Sequence, residues 1–195
     1  LNTTGANNVA VGQAALDANT TGTQVSALGV QALGANTTGS SNTAVGYAAL
    51  FTNTTAGSNT AVGTNSLYNN TDGAGNTAVG VNAALSNTTA ANLSAFGYAA
   101  LQANTTGTNN TAVGYNSLLS NTSGGYNVAV GMGAADANTT ASAVTAVGYG
   151  ALGANTTGAS NTSVGADSLD ANTTGASNVA VGNAALGANI TGNQN

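Results

Sequence analysis

The residues best placed to do chemistry in this chain are asparagines. Twelve recur at a spacing of 17: Asn2, Asn19, Asn36, Asn53, Asn70, Asn87, Asn104, Asn121, Asn138, Asn155, Asn172 and Asn189. All but Asn70 open an Asn-x-Ser/Thr triplet, the acceptor for N-glycosylation. Asp17, Asp136 and Asp170 stand two residues ahead of such an asparagine, which matches the extended acceptor of bacterial N-glycosylation. The same column supports a second reading. Stacked amides can hydrogen-bond to their own turns and to one another. Stacked strands lie about 4.8 Å apart, and a sugar ring is wider than that. A glycan on every rung fits only if neighbours splay outward. The spacing therefore favours an amide ladder, with sugar on a subset of Asn or Thr residues as the alternative.

Other chemistry is excluded by what is missing. The chain has 195 residues and no Lys, Arg, His, Cys, Pro, Trp or Glu. Its only formal charges are Asp17, Asp72, Asp136, Asp167 and Asp170, for a net charge of −5. Without cations it cannot neutralise phosphates, so nucleic acid and anionic membranes are not expected partners. Without His, Cys, Glu or Lys it lacks the usual bases, nucleophiles and transition-metal ligands. The aspartates are scattered, which argues for solubility rather than calcium binding. No apolar stretch has the length of a membrane span. The expectation is a structural or binding protein, with no enzymatic activity, no cofactor and no metal.

The asparagines belong to a repeat that covers the whole chain. Gly12, Gly29, Gly46, Gly63, Gly80, Gly97, Gly114, Gly131, Gly148, Gly165 and Gly182 fall at an unbroken spacing of 17. Numbering each copy from that glycine as position 0, the asparagine column is +7. Position −1 is Val in nine copies, with Leu28 and Phe96 as exceptions. Position −2 is Ala except for Ser163, position +3 is Ala or Ser, and +4 is Leu except for Ala84 and Ala135. Position +10 is Gly in nine cases, replaced by Ala56, Ala90 and Ala141.

A period of 17 is too short for helical repeats, and Asn, Thr and Gly are poor helix formers. The pattern predicts an all-β parallel β-solenoid, a single array over residues 1–195 with one coil per copy. About eleven coils at about 4.8 Å make a rod of roughly 55 Å. In the copy around Gly46, Thr43 to Tyr47 reads as one strand and Ala49 to Thr52 as a second. Alternation separates Ala44 from Val45, and the larger Val45 is expected to meet Leu50 inside the coil. Asn-Thr-Thr-Gly closes the turn. One Val and one Leu make a thin core. The small residues at −2 and +3 are then expected to admit a neighbouring chain, with several chains about one axis. Leu1 and Asn195 fall in incomplete copies without polar caps, which suggests a segment of a longer fibre or a unit that stacks end to end.

Three further columns are candidates. Adjacent threonines at +8 and +9 would alternate between faces in a strand, which argues against a flat ice-binding array. Tyr47, Tyr98, Tyr115 and Tyr149 at +1 read either as an adhesive stripe for sugars or a partner, or as filler between chains. The glycine at 0 implies positive φ or no space for a Cβ, whereas the +10 glycine tolerates Ala.

The string Asn-Thr-Ala-Val-Gly-Tyr-x-Ala-Leu at Asn42–Leu50, nearly repeated at Asn110–Leu118, resembles the head repeats of trimeric autotransporter adhesins of the YadA type. It also resembles repeats of phage tail fibres. The resemblance covers the whole chain, and this repeat is the longer by its Asn-Thr-Thr-Gly turn. The family's coiled-coil stalk and membrane anchor have no counterpart here. The resemblance implies a left-handed β-roll, three chains about one axis, and display on a cell surface or virion. Surface glycans or a host receptor would be the partners. An ice- or carbohydrate-binding solenoid and a self-polymerising extracellular filament are the alternatives.

Overall fold

The computed structural model describes residues 2–195. Leu1, which the sequence places in an incomplete copy, lies outside the described residues. The chain winds as a β-solenoid with one strand of three residues per coil. The strands are β1 (Val9–Val11), β2 (Ser26–Leu28), β3 (Thr43–Val45), β4 (Thr60–Val62), β5 (Thr77–Val79), β6 (Ser94–Phe96), β7 (Thr111–Val113), β8 (Val128–Val130), β9 (Thr145–Val147), β10 (Thr162–Val164) and β11 (Val179–Val181). They form one parallel sheet in sequence order. Each residue pairs with its equivalent 17 positions on, as Ala44 does with Ala61.

Thr-Ala-Val extends because β-branched residues suit a pleated strand. The glycine that follows ends it, with φ between 126° and 140° in every copy. The rest of each coil is turn and bend, so the second strand expected at Ala49–Thr52 is absent. Residues in the left-handed region take its place. Position +4 has a φ near 50° even where it is leucine, as at Leu50 (52°) and Leu67 (50°). A bulky residue there is strained. Backbone bonds between coils hold it, such as Leu33 N–H to Ala49 C=O at 3.0 Å and Leu50 N–H to Ser66 C=O at 3.0 Å. Similar bonds run round the coil beyond the strands, as from Thr37 N–H to Thr54 C=O (2.9 Å) and from Ala48 N–H to Val30 C=O (2.9 Å). Backbone pairing between neighbouring coils thus supplements the thin apolar core.

The core reverses one expectation. Ala44 is fully buried, and the same column is buried from Ala27 to Ala180, while the valines beside it face outward and only Ala10 in the first coil is exposed. Leu50 and Leu67 pack inside against alanines and not against Val45. The −2 and +3 columns face each other within a coil. In the one copy with serines at both, the Ser163 and Ser168 hydroxyls contact each other directly, and Ser163 also donates to Ser168 C=O at 2.7 Å. The small residues therefore fit the coil's own narrow lumen and offer no seat for a second chain. Alternation fixed which residues oppose each other, but space inside the coil decided which side is in.

Candidate functional site

Position +7 lies on the inner side of the turn that follows Leu at +4. From Asn19 to Asn172 all ten asparagines of this column are fully buried. Each side-chain amide donates twice. Asn53 Nδ2 reaches Asn36 Oδ1 at 2.9 Å and Ala56 C=O at 3.0 Å. The pattern repeats at Asn87 (2.7 Å to Asn70 Oδ1) and Asn121 (2.8 Å to Asn104 Oδ1). The chain of amides is continuous from Asn189, through Asn172, to Asn19 and Asn2. These bonds place the column in the interior as a ladder. A folded coil has no room for a glycan on any buried rung, and only the end rungs Asn2 and Asn189 reach solvent. Asp17, Asp136 and Asp170 therefore precede inaccessible amides.

A second amide column, missed in the sequence reading, stands at −4. Asn42 Oδ1 accepts the Asn59 N–H at 2.9 Å, and Asn42 Nδ2 donates to Ala56 C=O at 2.8 Å in the next coil. Asn59 and Asn76 repeat this at 2.9 Å. Val25, Leu93 and Val144 interrupt the column, and each is buried. That was the available signal: an asparagine exchanged only for Val or Leu occupies an interior site. No buried side-chain N or O atom lacks a partner among the described residues.

The exterior carries the remaining candidates. At +8 the Thr hydroxyls donate to the next coil's carbonyl, as Thr37 Oγ1 does to Thr54 C=O at 3.1 Å. At +9 the residues are exposed, Thr38 and Thr55 among them. The two threonines of a turn thus have different work and form no flat paired array. Tyr47, Tyr98, Tyr115 and Tyr149 are each about half exposed, and the Tyr98 and Tyr115 rings stack at 5.2 Å. Beside them runs the outward −1 column, in which Val11, Leu28, Phe96, Val113, Val130, Val164 and Val181 are all exposed.

The glycines at 0 from Gly12 to Gly165 answer to two constraints at once, and Gly182 to its φ alone. Beyond their φ, a Cβ on Gly97 would lie 2.4 Å from Gly114 O. The constraint is the chain's own next coil and not a second molecule. Asp136 is half-buried, and desolvation pushes its carboxyl pKa up, partly opposed by backbone hydrogen bonds. Among the described residues no cluster of His, Cys, Asp or Glu could hold a metal ion, and no helix is long and apolar enough to cross a membrane. No protein-family model, curated protein or solved structure matches the chain.

Proposed function

We propose that the chain is a rigid stretch of an extracellular, surface-displayed fibre that acts by holding repeated columns in register for adhesion. The observation that carries this reading is the outward apolar column at −1. It holds Val, Leu or Phe in every one of eleven coils, and it has no interior role. Soluble monomers rarely expose a continuous apolar strip of that kind. Three copies about one axis, the arrangement that the YadA-type resemblance implies, would cover it. The fibre needs no catalytic group, and its interior amides carry no titratable proton.

The test is the solution mass of the purified chain by light scattering, referenced to 18.3 kDa. The reading expects about three times that mass, falling to the single-chain value when Val62→Asp and Val79→Asp are combined. A monomer that stays monomeric and folded at high concentration would overturn the shared axis. An open-ended series of masses would replace it with a filament subunit.

A further inference from the structure

In a repeat array the consensus positions are accounted for by the coil itself. Residues that depart from consensus on the surface carry whatever is particular to one coil. The largest such cluster falls at β3 to β5. At +5 the chain places Asp or Gly in six of eleven coils, yet three successive coils carry Phe51, Tyr68 and Leu85. The usual Ala at +6 becomes Thr52, Asn69 and Ser86 in the same three coils. Phe51 and Tyr68 stack at 5.3 Å with an interplanar angle of 25°. Thr52 Oγ1 donates to Tyr68 C=O at 2.8 Å, with Asn70 C=O also within 3.2 Å of the hydroxyl, which ties this coil to the Tyr68 backbone. A depression of about 390 Å³ opens here, lined by Tyr47, Asn65, Tyr68, Asn69 and Leu85.

The geometry points to a binding site for a short neutral oligosaccharide across these three coils. The assignment rests on the adhesive reading above and gives it a location and a ligand class. Two tyrosine rings offer flat faces for the C–H face of a pyranose, and their hydroxyls offer polar edges. Asn65 and Asn69 supply amide donors and acceptors of the kind that orient a polyhydroxylated ligand in an otherwise apolar depression. No charged residue lines it, so an ionic ligand gains nothing. A peptide strand gains little as well. The backbone N–H groups of Asn65 and Asn69 are already committed to Tyr47 C=O (2.9 Å) and Leu85 C=O (3.0 Å), which removes the main-chain pairing that strand addition requires. From the first to the third coil the depression spans about 10 Å, a short oligosaccharide rather than a single small solute.

The experiment titrates the whole chain with maltotriose, cellotriose and triacetylchitotriose, following isotope-labelled tyrosine ring resonances. At least one trisaccharide is expected to shift the Tyr47 and Tyr68 signals saturably. Tyr68→Ala is expected to weaken binding at least about tenfold, Tyr68→Phe to retain it, and Tyr149→Ala to leave it unchanged. Asn69→Ala serves as a rim variant that leaves both tyrosine rings in place, and it is expected to weaken binding as well. Silence of the Tyr68 ring toward all three sugars overturns the assignment, as does an equal loss with Tyr149→Ala, which would mean a diffuse tyrosine column. Light scattering on the same samples reads the fibre proposal separately, so either can fail alone.

Discussion

The two amide columns do similar work and differ in tolerance. The +7 column runs from Asn2 to Asn189 without a break, whereas the −4 column gives way to Val25, Leu93 and Val144. The hydrogen bonds explain why. A +7 amide donates to the side-chain oxygen of one neighbouring rung and accepts from the side-chain nitrogen of the other. Removing it takes a donor from the buried side-chain oxygen on one side and an acceptor from one buried side-chain N–H on the other. A −4 amide exchanges its bonds with backbone, accepting from Asn59 N–H and donating to Ala56 C=O in the case of Asn42. That carbonyl has a second donor in Asn53 Nδ2, so losing the amide leaves it paired and strands one group, the Asn59 N–H. The glycine columns divide in the same way. At 0, from Gly12 to Gly165, both a positive φ and the next coil's backbone exclude a Cβ. At +10 a Cβ on Gly107 would also approach Gly124 O, yet Ala56, Ala90 and Ala141 occupy that column buried. The +10 column therefore admits a methyl group where φ is ordinary, and the 0 column, with φ between 126° and 140°, carries none.

The sharpest break of this comparison is in the intolerant columns. Gly97→Ala, with φ at 137°, combines backbone strain with a clash and should cost about 3 kcal/mol or more. Asn121→Leu, which takes the close donor from Asn104 Oδ1 and leaves Asn138 Nδ2 with only its bond to Ala141 C=O, should cost a similar amount, since each stranded buried group costs roughly 1–3 kcal/mol. Thermal unfolding with a circular dichroism readout measures both. Equal melting shifts for Gly97→Ala and Gly107→Ala would remove the role assigned to φ.

The tolerant columns give the smaller effects. Asn59→Val copies what Val25 and Val144 already do, and should cost about 1 kcal/mol, clearly less than Asn121→Leu. The reverse change, Val25→Asn, restores an acceptor for the Asn42 N–H and should be neutral to slightly stabilising. If Val25→Asn destabilises as much as Asn59→Val, the column is tuned to each coil and its apolar breaks are not mere tolerance.

The contrast also marks what was legible in the sequence. The period, the one-coil repeat and the glycine at 0 could be read because identity recurs at fixed spacing. The side on which Val45 lies could not, because alternation relates neighbours without naming an inside, and residue size pointed the wrong way. The −4 ladder was hidden because its exceptions look like noise until their apolar character is noticed. Leucines at φ near 50° have no sequence signature at all; inter-coil hydrogen bonds impose them. The depression at Tyr68 escaped because consensus reading averages out the coils in which residues depart from it.

The smallest predicted effect concerns pH. Both ladders are neutral amides, so no ladder bond changes with proton concentration, and the acidic side chains are the five aspartates. At Asp136 the fold opposes ionisation, through desolvation that outweighs its backbone hydrogen bonds. Its folded pKa lies above the ordinary value of 3.8, so the unfolded chain loses that proton first. Raising the pH from 3.8 toward the folded pKa therefore costs stability, and above the folded pKa the loss is complete and constant. Melting temperature should fall slightly over that window and then level off, and Asp136→Asn should flatten this part of the profile. A profile in which Asp136→Asn changes nothing while the wild-type slope persists would place the pH response on another aspartate and leave the amide interior as the neutral frame.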